Sequence, residues 1–159
     1  MTLASGKRST FYINGKKITL EAEGLWLFAR LLLAELEEFP GVTAIGGLTL
    51  GADPIASACC ALSFDSERPL RAFLVRKEPK GHGLAAQVEG DVGPGDEVAI
   101  VEDTITTGGS ARKAIDAVRA VGAVPVVVFA LADREDPDAA AFRAEFDVRP
   151  LFSLAEIRG

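Results

Sequence analysis

The side chains best suited to chemistry are gathered in residues 98–110, which read VAIVEDTITTGGS. An apolar run typical of a β-strand passes directly into two acids, Glu102 and Asp103, and then into a turn of threonine, glycine and serine. Carboxylates at this position can accept hydrogen bonds from the vicinal hydroxyls of a sugar or stabilise developing positive charge. Backbone N–H groups of such a turn, and of the helix predicted after it, favour a phosphate. The stretch therefore predicts a ribose site beside a phosphate site.

Residues 98–110 have other possible interpretations. It could be an ordinary strand–turn–helix junction whose threonine and serine cap the helix and whose acids are solvated. It is not a Walker A loop, because the chain has no Gly-x-x-x-x-Gly-Lys-Ser/Thr sequence. It is not a Rossmann fingerprint, because the glycines of residues 90–95 precede the strand instead of following it.

A second candidate is a basic cluster, in which Arg76, Lys77, Lys80 and His82 lie within seven residues of an otherwise acidic chain. Charge runs of this kind are usually solvated. Beside an anion site, however, the cations could balance the charge of a leaving group. The chain from here to residue 90 lacks strong periodicity, so we expect a mobile loop that could close over the site and exclude water.

Composition limits the class of protein. The chain has 159 residues, of which 48% are hydrophobic and 25% charged, so we expect one globular domain spanning 1–159. Its net charge of −6 argues against non-specific nucleic-acid binding. The two cysteines, Cys59 and Cys60, are interpreted as small core residues of a protein in the reducing cytoplasm. No signal peptide or membrane span is predicted, and the single histidine, His82, excludes a multi-histidine metal site.

Strand and helix patterns alternate along the chain. Amphipathic spacing predicts a helix over 21–39, and further helices are predicted from Asp53 and Pro54 as N-cap and first residue, over 111–121 and over 138–146. This alternation predicts an α/β fold with a mainly parallel sheet flanked by helices. Four loops, 46–51, 76–83, 102–110 and 133–136, should then leave the carboxyl ends of strands and converge on one crevice. The predicted strands cover 42–45, 70–75, 98–101, 125–131 and 148–152.

The N-terminal segment, residues 1–20, is predicted to form a small hood over a core of residues 21–159. Turn dipeptides at residues 5–6 and 14–15 flank a short β-type run, 10–13, which favours a hairpin. The alternative is an edge hairpin with solvated lysines. In the helix that follows, Trp26 and Leu27 widen the apolar arc, so this helix could contact a second subunit as well as its own sheet.

Four segments resemble one known family. Residues 98–110 closely resemble the phosphoribosyl-pyrophosphate (PRPP) signature of type I phosphoribosyltransferases. RKEPKGHG at 76–83 is similar to the basic loop of orotate phosphoribosyltransferases, LASGKRSTFYINGK at 3–16 to their N-terminal segment, and GGLTLGADPIA at 46–56 to their pyrophosphate loop. The resemblance implies the type I phosphoribosyltransferase fold. It also implies Mg²⁺-dependent transfer of ribose 5-phosphate from PRPP to orotate in pyrimidine (UMP) biosynthesis, giving orotidine 5′-phosphate and pyrophosphate.

The resemblance also implies roles for individual residues. Glu102 and Asp103 would hold the ribose hydroxyls and, with Lys80 and His82, would form the catalytic set. Orotate would contact Thr106, Arg134, Tyr12 and Ile13. The residues implied to bind PRPP are Arg76, Lys77, Lys80, His82, Glu102, Asp103, Thr104, Ile105, Thr106, Thr107, Gly108, Gly109 and Ser110.

The same resemblance implies a metal ion, two substrates and a second subunit as partners. Mg²⁺ would be bound mainly through the substrate, without dedicated protein ligands. The substrates would be PRPP and orotate, with neither nucleic acid nor membrane as partner. A cytoplasmic homodimer is expected, with the basic loop reaching into the neighbouring subunit's site.

The sequence departs from the family pattern in places. Ala4 stands where many members have lysine, residues 46–51 contain no lysine, and the chain begins directly at the hood without the leading helix common in the family. The alternatives are another type I phosphoribosyltransferase with a different base, or a PRPP-binding regulator without turnover.

Overall fold

The computed structural model describes residues 14–158. Tyr12, Ile13, Ala4 and the β-type run 10–13 lie outside the described residues. The described chain forms one six-stranded sheet with the order β3-β2-β1-β4-β5-β6. Its strands are β1 (Val42–Leu48), β2 (Arg71–Val75), β3 (Val88–Glu89), β4 (Glu97–Ile105), β5 (Val124–Asp133) and β6 (Val148–Ser153).

The sheet is mainly parallel, as predicted. Only the short β3, among the described strands, pairs antiparallel with its neighbour β2. The parallel strands β1, β2, β4 and β5 therefore end at one edge, although β1 and β4 extend to Leu48 and Ile105, into two of the predicted loops. The four loops lie at the edge where open parallel sheets bind their ligands.

Helices cover both faces of the sheet. The α-helices are α1 (Lys16–Thr19), α2 (Ala22–Glu35), α3 (Ala52–Leu62), α4 (Gly109–Ala120), α5 (Ala140–Glu145) and α6 (Leu154–Arg158), and short 3₁₀ turns occupy Leu36–Glu38, Leu84–Gln87 and Pro137–Ala139. No helix in residues 14–158 combines the length and apolarity needed to cross a membrane.

Each face buries its own apolar cluster. On one face, Phe28 and Leu32 of α2 and Ile55 of α3 pack with Phe129 of β5. On the other, residues of α4 and Phe142 of α5 pack against β2, β4 and β5. A fully buried side chain of this size contributes about 1.5–3 kcal/mol, so the two clusters hold the strand ends in a fixed arrangement.

The strand carrying the two acids is longer than predicted. The apolar run suggested that it ends at Val101, whereas β4 continues to Ile105, because Glu102, Thr104 and Ile105 pair with β5. Glu102 and Asp103 therefore belong to a rigid strand and not to the loop that follows it.

Other boundaries also differ from the prediction. Helix α3 begins at Ala52 with Gly51 as N-cap, so Asp53 and Pro54 lie within its first turn, where a proline is tolerated because its missing N–H would be unpaired anyway. The chain after the basic cluster is partly ordered, since it forms the 3₁₀ turn Leu84–Gln87 and then pairs as β3. Residues 16–19 form helix α1 and not the second strand of a hairpin.

Candidate active site

Glu102 and Asp103 lie side by side near the end of β4, and only 7% and 9% of their respective surfaces are exposed. Neighbouring side chains of a strand point to opposite faces of the sheet. Glu102 accordingly lines the small pocket formed with the turn after β4, whereas Asp103 contacts α1 and the start of α3. The pair therefore presents carboxylates on both sides of one strand end.

Burial controls the chemistry of Glu102. Desolvation, and then the charge of Asp103, raise the pKa of Glu102 from 4.5 to about 8, although the positive charge of Lys16 opposes the change. Its Oε1 atom is buried and accepts no hydrogen bond within the described residues. Buried polar atoms are normally paired, so this oxygen is placed to accept a hydrogen bond from a ligand.

Asp103 is held by three neighbours. Its Oδ1 accepts a hydrogen bond of 2.9 Å from the backbone N–H of Thr104, and its Oδ2 accepts one of 3.0 Å from Lys16 Nζ. Gly51 approaches so closely that an added Cβ would lie 2.8 Å from Oδ1. The Asp103 carboxylate therefore has a defined position before any substrate arrives.

The turn between β4 and α4 forms a pocket of about 50 Å³. Gly108 has a φ of +80°, and an added Cβ there would lie 2.4 Å from the Phe142 ring, so only glycine fits this position. The positive end of the twelve-residue helix α4 follows directly. These features make the pocket suitable for a phosphate group. It is lined by Glu102, Thr104, Ile105, Thr106, Thr107, Gly108, Gly109, Ser110 and Ala111.

The base of the basic loop is fixed by hydrogen bonds. Gln87 is buried, and its Nε2 donates to the carbonyls of Arg76 and Lys77 at 3.0 and 3.2 Å, while the Arg76 N–H donates to the Gln87 carbonyl at 2.8 Å. The side chain of Arg76 forms an ion pair with Glu89 of β3 at 2.7 Å. Arg76 is therefore tied to the sheet edge.

The rest of the basic loop is open to solvent. Lys77, Lys80 and His82 are all exposed, and none of their side chains forms a hydrogen bond or ion pair within residues 14–158. The structure thus places these cations on the edge that carries the acid pair, two strands away from β4, without bringing them into contact with Glu102 or Asp103.

The loop after β5 carries Arg134, whose backbone N–H donates to the Ile105 carbonyl at 3.1 Å. Asp133, which is 3% exposed, binds Nη1 of Arg143 through both carboxylate oxygens at 3.2 Å. Nη2 of Arg143 also donates to the Asp136 carbonyl at 2.9 Å. Arg143 therefore fixes the two ends of this loop and, through them, the backbone that carries Arg134.

Comparison with known proteins identifies the family. Over 156 residues, 98% of its length, the chain is 44% identical to the orotate phosphoribosyltransferase of Aquifex aeolicus and covers 85% of that protein. The chain belongs to the orotate phosphoribosyltransferase family. The orotate phosphoribosyltransferase of Sorangium cellulosum is 48% identical over 146 residues, which are 91% of this chain and 76% of that protein. No family model matches the chain.

Solved orotate phosphoribosyltransferase structures agree with this assignment. The Mycobacterium tuberculosis enzyme in complex with Fe(III) dicitrate superimposes with a TM-score of 0.82 at 38% identity, over 99% of this chain and 88% of that one. The same enzyme in complex with PRPP gives a TM-score of 0.80 at 36% identity, over 100% and 90%. The six-stranded sheet with its flanking helices is thus the type I phosphoribosyltransferase fold, as predicted.

Several residues that support the site of this orotate phosphoribosyltransferase family member were not predicted from the sequence. Lys16 lies in the N-terminal segment that resembles the family, but nothing in the sequence links it to Asp103, 87 positions away. No feature of the sequence pointed to a role for Arg143, which lies in the helix predicted over 138–146. Gly51 was part of a glycine-rich loop, but its contact with Asp103 required the folded chain.

Proposed function

We propose that the protein catalyses Mg²⁺-dependent transfer of ribose 5-phosphate from PRPP to N1 of orotate, as its family does. The bond between ribose C1 and a pyrophosphate oxygen breaks, the N1–C1 bond forms and the N1 proton is lost. The observation that carries the proposal is the buried, unpartnered Oε1 of Glu102 at the wall of a phosphate-sized pocket. A ribose hydroxyl can satisfy this oxygen while the 5-phosphate occupies the pocket.

The acid pair provides the electrostatic part of catalysis. As the pyrophosphate leaves, positive charge develops on the ribose ring, and Glu102 and Asp103 stabilise it from a strand that need not rearrange. Glu102 and Asp103 are therefore assigned, together with Lys80 and His82, to the catalytic set.

The turn after β4 binds the 5-phosphate. Residues 106–110 surround it with backbone N–H groups, hydroxyls and the N-terminus of α4, and Thr104 and Ile105 complete the PRPP contacts. Gly108 allows the turn to pack against Phe142, because an added Cβ would collide with that ring.

The basic loop binds pyrophosphate. The side chains of Lys77, Lys80 and His82 are exposed and form no ion pair within the described structure, so loop closure can bring them onto the leaving group without breaking an ion pair of theirs. Arg76 would exchange Glu89 for a phosphate oxygen. In this proposal the loop acts on the site of the neighbouring subunit.

Orotate binds beside the ribose. Arg134 offers a planar fork that matches the orotate carboxylate, and Thr106 lies at the border of the phosphate pocket. Tyr12 and Ile13 are assigned to the face of the base on the strength of the family resemblance.

Mg²⁺ enters with PRPP. Within residues 14–158 no three histidine, cysteine, aspartate or glutamate side chains are grouped closely enough to hold a metal ion. A cation that binds oxygen ligands and keeps several waters is well served by the pyrophosphate and ribose oxygens of the substrate. It would neutralise part of the pyrophosphate charge.

Exposed apolar side chains of the hood and of α2 support a homodimer, which we assign to the cytoplasm. Leu20, Trp26, Leu27 and Leu31 are large apolar side chains that are 47–73% exposed, and Ile18 of α1 is 42% exposed. Several large exposed apolar side chains on two neighbouring helices are typical of an interface between subunits. Neither a nucleic acid nor a membrane is included among the partners.

The test is orotate consumption by the purified protein with PRPP and Mg²⁺, followed by the loss of orotate absorbance on coupling to a decarboxylase. Turnover that requires all three components supports the proposal. Pyrophosphate release with a different base from a panel would assign another phosphoribosyltransferase. PRPP binding without pyrophosphate release for any base would indicate a regulator and overturn the enzyme assignment.

A further inference from the structure

The Glu102–Asp103 pair poses an electrostatic problem, because two adjacent carboxylates are both largely withdrawn from water. Two negative charges this close disfavour each other's ionised form, and burial adds to the effect. A cation near the pair lowers the free-energy cost of holding negative charge there.

Lys16 provides this cation from a distant part of the chain. Its Nζ lies 3.0 Å from Asp103 Oδ2, in an ion pair in which the Asp103 side chain is 13% exposed and the Lys16 side chain 47%. The contact joins residues 87 positions apart, so it forms only when the hood helix α1 rests on the end of β4.

Two glycines hold α1 in this place. Gly15 lies against the end of β4, where an added Cβ would be 3.0 Å from the Asp103 Cβ and 3.1 Å from the Thr104 Oγ1. Gly24 of α2 approaches α1 in the same way, with an added Cβ only 2.7 Å from the Ile18 carbonyl oxygen. The short helix α1 is therefore wedged between α2 and the acid pair, and it carries Lys16 onto Asp103.

We propose that Lys16 is a positioning residue, which fixes the Asp103 carboxylate and balances the charge of the Glu102–Asp103 pair before substrate binds. The charge of Lys16 also reaches Glu102, whose pKa it lowers against burial and the charge of Asp103. Lys16 thereby extends the ionised state of Glu102 to lower pH.

The other groups around the pair do not replace Lys16. At the start of α3, burial alone raises the pKa of Asp53, so this carboxyl does not respond to Asp103. On α4, the guanidinium of Arg112 is directed to Glu145. The pocket wall 104–111 contains no titratable side chain.

The experiment compares Lys16→Met with Lys17→Met, which removes the exposed neighbouring lysine of the same helix, and with Lys16→Arg, which keeps the charge. The first readout is the titration of the Glu102 carboxyl in the ligand-free protein, followed by ¹³C NMR. We expect its midpoint to rise by about half a pH unit or more in Lys16→Met, as loss of a nearby opposite charge requires. Lys17→Met and Lys16→Arg should stay near the wild-type midpoint.

The second readout is the pH profile of kcat/KM for PRPP, and only this part rests on the proposed function. Its acid limb should move to higher pH in Lys16→Met and recover in Lys16→Arg. An unchanged NMR midpoint in Lys16→Met, or an equal change in Lys17→Met, overturns the role of Lys16. If the wild-type protein has no turnover, the proposed function fails, while the NMR midpoints still decide the role of Lys16.

Discussion

Glu102 shows how the fold sets the state of a single residue. Burial and the charge of Asp103 raise its pKa to about 8, so at neutral pH the ligand-free protein favours the neutral carboxyl. In the proposed function, a ribose hydroxyl would give Oε1 the partner that it lacks and would compensate part of the cost of its burial. The same feature that makes Glu102 useful should therefore make it costly for the stability of the free protein.

The first prediction tests this cost. Because the folded-state pKa of Glu102 lies above its ordinary value of 4.5, folding binds a proton, and stability is lost as the pH rises from 4.5 to about 8. Glu102→Gln removes that loss while it preserves size. We expect its melting temperature to match the wild type near pH 4.5 and to exceed it by about 5 °C or more at pH 9, since 1 kcal/mol corresponds to ~2–4 °C for a chain of this length.

Thermal melts at the two pH values check the prediction. Glu97→Gln, an exposed residue at the start of the same strand, controls for the loss of one carboxylate. A difference between Glu102→Gln and wild type that is the same at both pH values would contradict the raised pKa.

At the scale of elements, each loop of the site depends on a neighbouring element for its position. The phosphate turn rests on α5 through Gly108 and Phe142, and the loop that carries Arg134 is tied to the same helix through Asp133 and Arg143. Helix α5 has only six residues, yet it supports both the proposed phosphate site and the proposed base site.

Arg143→Met tests the link to the base site. Removing Arg143 leaves the carboxylate of Asp133 buried without its cation, so we expect a loss of about 1–3 kcal/mol, smaller than for a fully buried pair because Arg143 is 30% exposed. The KM for orotate should rise more than the KM for PRPP, since Arg134 is on the affected loop. The measurements are thermal melts and steady-state kinetics.

The control is Arg68→Met, which breaks an exposed pair with Glu37 and should change stability by less than about 1 kcal/mol. Equal increases in the two KM values would show that Arg143 supports the whole site and not the base loop in particular.

The proposed role of the basic loop can be tested separately, because its cations would contribute to catalysis only after the loop closes. Lys80→Ala should lower kcat by about 10²-fold or more, as loss of charge stabilisation in a transition state can. The melting temperature should stay within about 2 °C, since exposed positions contribute little to stability. Lys17→Ala, which removes another exposed lysine, is the control. Full activity of Lys80→Ala would exclude the assigned role.

Local patterns predicted the elements better than their ends. Apolar runs identified the strands that were predicted, but polar residues at the site hid the end of β4, where Glu102 and Thr104 pair with β5. The ion pairs of Lys16 and Arg143 could not be predicted, because the sequence around a charged residue does not show which opposite charge it will contact. The motif residues, in contrast, could be proposed from the sequence, because turn chemistry and charge are local properties.

At the scale of the whole molecule, the sheet order explains why the site needs several segments. The loops after β1, β2, β4 and β5 come from all parts of the chain, and the parallel strands bring them to one edge. The basic loop lies two strands away from the acid pair and, within the described residues, does not contact it. A loop donated by a second subunit would provide the cations that the site within one chain does not hold in contact.

Subunit complementation tests this arrangement. A mixed dimer is prepared by co-expressing Lys80→Ala and Glu102→Gln chains with different tags and purifying through both. If the loop of one subunit serves the acid pair of the other, one site receives both defects and the other receives none, so activity should return to about half that of the wild type, as expected for one intact site of two. If each loop serves its own subunit, both sites carry one defect and activity stays low. A mixed dimer of Lys80→Ala with His82→Ala is the control, because neither arrangement gives it an intact site; activity in this control would show that wild-type chain was present through reversion or contamination.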